Sequence, residues 1–188
     1  MRAPIGIIHG RFQLLHLDHM KYLLAGKERC DYLLIGISNP DVSLTKFSET
    51  SPHRSASASN PLTFYERFQM IQAAMLEAGV SRSEIDIVPF PINYPELLFN
   101  YVPRDATFYI TINDAWGTAK LQTLQDLGCD VEVMWEKLGS EKGISGTQVR
   151  DRIAHGEMWN HLMPRSVYDY IIDHHLDARI RSLCAAER

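Results

Sequence analysis

The sequence predicts the α/β class: a doubly wound parallel sheet of five strands with a C-terminal helical cap. Three observations lead there. Short apolar runs alternate with helix-period stretches along the 188 residues, the pattern of β–α units whose strands run parallel. Some runs, such as "YLLIGI" at 32–37, are apolar throughout, as strands covered on both faces are. The helical stretches carry their own start and stop signals.

Each element has its reason. Residues 5–8 form a first strand. Residues 17–29 carry Leu17, Met20, Leu23 and Leu24, a helical stripe. Residues 32–37 form the second strand. A helix over 63–78 opens on a capping box, Thr63-x-x-Glu66, and stops at Gly79. Residues 85–88 are the third strand and 108–112, "FYITI", the fourth. A helix over 115–127 stops at Gly128. Residues 131–134 are the fifth strand. The part from 147 to 188 reads as short helices broken by Gly156 and Pro164. Its helix over 165–176 serves either to cap the sheet, the simpler role, or to form a subunit interface. No internal repeat is present, and the length suits one domain, 1–188.

Composition excludes several classes. Apolar residues make up 45% and charged residues 22%, with a formal net charge of −4, so nothing predicts a bulk nucleic-acid binder. Cys30, Cys129 and Cys184 are scattered and odd in number. They suit a reducing cytoplasm better than a disulfide framework. Residues 1–10 do not read as a signal peptide, and no apolar run approaches the ~18–20 residues of a membrane span. Residues 39–61, rich in Ser, Thr, Pro and Ala, have no period. They are read as a flexible loop, with two roles open: a plain surface linker, or a lid bringing Lys46, His53 and Arg54 over an anion.

The chemistry concentrates in "GIIHGRFQLLHLDHMKYLL", residues 6–24. In an open α/β sheet ligands collect at the C-terminal strand ends, and the helix after this strand offers free N–H groups and a positive dipole end. Arg11 adds a guanidinium that forks onto phosphate oxygens. His16 and His19 add donors, and Gly10 lets the backbone come close. Zinc ligation by His16 and His19, or a plain surface role, are the competing readings. A second helix start lies at "KGISGTQVR", 142–150, where Ser145, Gly146 and Thr147 precede Arg150. Two such starts, after the first and fifth strands, read as two sides of one triphosphate.

These stretches resemble a known family. Gly10-Arg11-Phe12-Gln13 followed by His16-x-x-His19 resembles the HxGH signature of the nucleotidyltransferases, and "ISGTQVR" resembles their ISSTxxR motif. The nearest likeness is to the archaeal-type nicotinamide mononucleotide adenylyltransferases. "NPLTFYER" at 60–67 and the Gly156, Trp159, Pro164 pattern match theirs. The resemblance implies a Rossmann-like domain that joins the AMP of ATP to nicotinamide or nicotinate mononucleotide, with release of pyrophosphate. It implies His16, His19, Arg11 and Arg150 as catalytic contacts to the phosphates. It implies Gly10, Phe12, Gln13, Ser145, Gly146 and Thr147 at the ATP, and Mg²⁺ on the phosphates. It also implies a homo-oligomer, with neither nucleic acid nor membrane as partner. Phe99, Tyr94 and Trp116 are the candidates for stacking the acceptor base, with a core role as the alternative.

Two positions depart from the pattern: Asp18 stands where the family has Gly, and Leu14 where it has Pro. Asp18 has three open roles: facing water in the first helical turn, the favoured one; helping to hold Mg²⁺; or crowding the nucleotide. Asp41 and Asp114 are further carboxylates for the metal's water shell. Such a transfer needs no enzymic nucleophile or general base, since the acceptor phosphate is already an anion. Three functions therefore stay open: the adenylyltransferase; an adenylyl- or cytidylyltransferase with another phosphorylated acceptor; and a nucleotide-binding sensor of weak activity.

Overall fold

A computed structural model of the chain describes residues 2–41, 57–136 and 143–186. The lid residues Lys46, His53 and Arg54 lie outside the described residues. Five strands, β1 (Ala3–Gly10), β2 (Cys30–Ser38), β3 (Ile85–Phe90), β4 (Thr107–Ile112) and β5 (Asp130–Glu136), form one sheet in the order β3-β2-β1-β4-β5. Every pairing is parallel. All five predicted strands are present, each extended by one to four residues, because apolarity marks only the buried middle of a strand.

The helices are α1 (Leu17–Lys27), α2 (Phe64–Glu77), α3 (Ala115–Asp126), α4 (Gly146–His155), α5 (Arg165–Asp173) and α6 (Leu176–Ala186). The capping box of α2 forms as predicted, with Thr63 as N-cap and Glu66 reaching back. The helix predicted over 165–176 instead breaks at His174 and at His175, whose φ is +54°, and α6 follows. A pair of histidines carries no strong stop signal, so this break is set by packing rather than by local propensity.

Alternation along β1 sends neighbours to opposite faces. Ile8 joins Leu33, Ile35 and Ile37 under α1, α2 and the C-terminal helices, through Leu23, Met70, Val149, Val167 and Ile180. Ile7 joins Leu34, Phe108 and Ile110 on the other face, under Leu124 of α3 and Leu98 of a short helical segment, Pro95–Asn100. The C-terminal part thus caps one face of the sheet. The chain reverses its winding between β1 and β4, and the C-terminal ends of those strands flank the crevice where an open sheet places its ligand.

Candidate active site

A cleft of about 200 Å³ opens at that switch point. Its walls come from the end of β1 and the loop after it, the end of β2, the first turns of α3, and the start of α4. The volume is below the ~300–1,000 Å³ of whole ligand sites, so the described walls enclose reacting groups rather than an entire dinucleotide. Arg11, Lys120 and Arg150 line it, and no carboxylate does among the described residues.

One buried arginine anchors this region. Arg67 of α2 is 2% exposed. Its guanidinium donates to the carbonyls of Arg11 (3.0 Å), Ser38 (2.8 Å), Asn39 (2.8 Å) and Thr63 (3.1 Å). It ties together the chain leaving β1 and the chain leaving β2. Burial brings its pKa down to about 10, so it stays charged at neutral pH. Gln13 forms a second tie. Its amide exchanges two 2.9 Å bonds with the backbone of Leu62. Gln13 lines the cleft, but its side-chain amide is spent on this clamp and not directed at a nucleotide.

The glycine-rich loop is tight. Phe12 is buried with φ +50°, a left-handed conformation unusual for an aromatic residue. Its ring lies against Gly10, where a Cβ would come within 2.9 Å of Cζ. It also meets His19 edge-on, with centroids 5.1 Å apart. His16 is the N-cap of α1, and its Nδ1 accepts from the backbone N–H of His19 at 3.3 Å. The two imidazoles stack with centroids 3.7 Å apart. His19 lines the cleft; His16, equally predicted to touch phosphate, sits behind it and does not. Burial pushes His16 down to about 4, although Asp18 opposes this. Burial, then His16 and Arg11, push His19 well below 6.5. Both rings are neutral near pH 7.

The second helix start is where the sequence placed it. Ser145 caps α4 and its Oγ accepts from Gln148 N–H at 3.1 Å. Arg150 is 5% exposed. It donates to the carbonyl of Gln13 and, at 3.1 Å, to Thr147 Oγ1. Gly146 is required by contact: a Cβ would stand 2.5 Å from the Gln13 carbonyl oxygen. Ser145, Gly146, Thr147 and Arg150 therefore face Gly10, Arg11, Phe12 and His19 across one cleft.

Asp18 corrects the favoured reading of it. Its carboxylate does not simply face water. Oδ2 accepts from Ile144 N–H at 2.8 Å, Oδ1 from Lys21 Nζ at 2.8 Å, and the side chain is 18% exposed. It joins α1 to the residue just before the cap of α4. Asp114 caps α3 by accepting from Gly117 N–H at 2.9 Å. Among the described residues no three His, Cys, Asp or Glu side chains gather as a metal site.

Of the acceptor candidates only Trp116 lines the cleft. Phe99 packs against the core below α3, with the Arg104 guanidinium 3.8 Å over its ring. Tyr94 stands in the turn that opens the same segment and is also outside the cleft. Three lining residues were missed. His9, at the end of β1, stacks on Phe90 with centroids 4.2 Å apart. Burial lowers its pKa well below 6.5, and the charge of Lys120 adds to this. Ser38 ends β2, and Lys120 lies one turn after Trp116 with Nζ 4.9 Å from the indole centroid. For His9 and Ser38 the available signal was a polar residue at the C-terminal end of an apolar strand; Lys120, inside α3, carried none.

Residues 7–152 match the cytidylyltransferase-like family. A phosphonoformate cytidylyltransferase of Streptomyces viridochromogenes is 48% identical over 96% of this chain and 97% of its own length. Nicotinamide-nucleotide adenylyltransferases are more distant. That of Saccharolobus solfataricus is 26% identical over 97% of this chain and 98% of its own. That of Pyrococcus horikoshii is 30% identical over 95% and 88%. The solved structure of a bifunctional NMN adenylyltransferase/ADP ribose pyrophosphatase from Francisella tularensis shares the fold, with a TM-score of 0.66 at 14% identity over 96% of this chain. This chain spans 53% of that longer one. No described helix is long and apolar enough to cross a membrane. By sequence and by fold, this chain belongs to the cytidylyltransferase-like family of nucleotidyltransferases.

Proposed function

We propose that the chain transfers the CMP of CTP to a small phosphonate acid and releases pyrophosphate. The observation that carries this reading is the 48% identity, nearly end to end, to a phosphonoformate cytidylyltransferase. The site supports the chemistry. Two capped helix starts and the guanidinia of Arg11 and Arg150 converge on a cleft that no carboxylate lines among the described residues, an arrangement that neutralises a polyphosphate. A phosphonate oxygen attacks the α-phosphorus and forms a new P–O bond. The bond from that phosphorus to the bridging oxygen breaks, and pyrophosphate leaves with the electron pair. The acceptor is already ionised, so no residue need take a proton. Thr147, Arg150 and the α4 N–H groups hold the leaving phosphates, and His19 and Arg11 meet the charge that grows during transfer. In such a transfer Mg²⁺ would come with the triphosphate and offset part of its charge.

Transfer of AMP from ATP to nicotinamide or nicotinate mononucleotide is the second reading, favoured by the more distant adenylyltransferase relatives. The test is pyrophosphate release with CTP or ATP against phosphonoformate and the two mononucleotides. Release from CTP with phosphonoformate is the expected result. Release only from ATP with a mononucleotide, or nucleotide binding without release, overturns the proposal.

A further inference from the structure

We propose that the end of the cleft between β1, β2 and α3 is the acceptor subsite, where His9, Ser38 and Lys120 select a small acceptor with two acid groups over a nucleotide. This rests on the transferase reading above and adds what reads the acceptor. His9 is 4% exposed, lines the cleft, and has no hydrogen-bond partner at either ring nitrogen. Ser38 is 2% exposed, lines the same end, and its Oγ has none either. Buried polar atoms are normally satisfied, so two orphans facing one cavity mark where a ligand supplies the bonds. The stack on Phe90 fixes the imidazole plane, with 13° between the rings, and so fixes the direction of its N–H.

The remaining chemistry decides what kind of ligand. Lys120 brings a positive charge to this end, and its ammonium lies over one face of Trp116. The Phe99 ring that could hold a base is outside the cleft and covered by Arg104. A nucleobase therefore meets an ammonium, a hydroxyl and an imidazole edge in place of an open aromatic platform. A compact acid fits better. One acid group faces the nucleotide, while the second accepts from Lys120 Nζ, the His9 N–H and the Ser38 hydroxyl.

The test is steady-state kinetics with CTP and Mg²⁺, using phosphonoformate and phosphonoacetate (two acid groups) against methylphosphonate (one). The wild type should prefer the two-acid acceptors by at least ~10-fold in kcat/KM, the value of one charge-assisted contact. Lys120→Met and His9→Phe should each raise the KM for phosphonoformate by about 10–100-fold. The KM for CTP should change less than ~3-fold, and Lys120→Arg should recover part of the loss. Melting curves accompany each variant. Lys120→Met, on a helix outside the sheet, carries the test should His9→Phe fail to fold. Phosphonoformate turnover that both variants leave intact, or a parallel rise in the KM for CTP, overturns this inference alone. Wild-type turnover confined to a mononucleotide acceptor overturns it together with the transferase reading.

Discussion

Asp18→Gly removes a strut between the two sides of the cleft, and its cost can be worked from the contacts. The bond from Ile144 N–H to a charged, mostly buried acceptor is worth about 1.5–3 kcal/mol. A negative charge in the first turn of α1 adds about 0.3–1 kcal/mol, and glycine in a helix costs about 0.5–1 kcal/mol. The Lys21 partner is exposed and adds little. The loss is about 2–5 kcal/mol, or roughly 5–20 °C in Tm for a chain of this size. Ile144 precedes the Ser145 cap, so the KM for the triphosphate should rise more than kcat falls. Asp18→Asn keeps an acceptor and should lose less than half as much. Gly143→Ala attacks the same contact from the other side, because its Cβ would run into Asp18 Oδ2. The double variant should therefore be less than additive. Thermal melts and triphosphate kinetics on the four variants and the wild type decide. Asp18→Gly within ~1 °C of wild type with unchanged KM, or full additivity with Gly143→Ala, refutes the strut.

Three other outcomes are expected. His19→Ala should lower kcat by about 10²–10³-fold with the fold retained, the usual loss for one donor to developing charge; near-normal kcat beside a normal melt contradicts the assignment. Arg150→Lys should lose most activity although the charge is kept, because one ammonium cannot hold Gln13 O and Thr147 Oγ1 while forking onto phosphate; full activity disproves this role. Stability should fall with acid: His16, ordinarily near 6.5, is held at about 4, so between those values the unfolded chain binds more protons than the native one. Stability is complete above pH 6.5 and is lost as pH drops, by about 2 kcal/mol at pH 5 from this ring alone; equal urea midpoints at pH 7 and pH 5 contradict a buried neutral His16.

The sheet and both cleft-facing helix starts were legible because their signals are local. Apolar runs mark strands, Thr63 with Glu66 marks a cap, and Ser145-Gly146-Thr147 marks a helix start. Relations between distant segments were not legible. Nothing in the spacing says that Asp18 meets Ile144, 126 residues away, so the sequence left the carboxylate facing water. Arg67 stands in a quoted motif, yet its four carbonyl partners appear only once β1, β2 and α2 are assembled. Phe99 was chosen by its place in a pattern, and packing turned it into the core. His9, Ser38 and Lys120 come from three elements and share no local signature.

Charge shows the same divide between whole and local. A net charge of −4 predicts no bulk nucleic-acid binder, yet Arg11, Lys120 and Arg150 line one cleft that no acid lines among the described residues. Two further positive rings 3.7 Å apart would add mutual repulsion to desolvation, and burial removes that cost by keeping His16 and His19 neutral. A neutral imidazole still donates one hydrogen bond, so His19 can meet a phosphate without prior charging. A bound polyanion would instead favour a protonated His19, since low-dielectric surroundings strengthen the attraction between opposite charges.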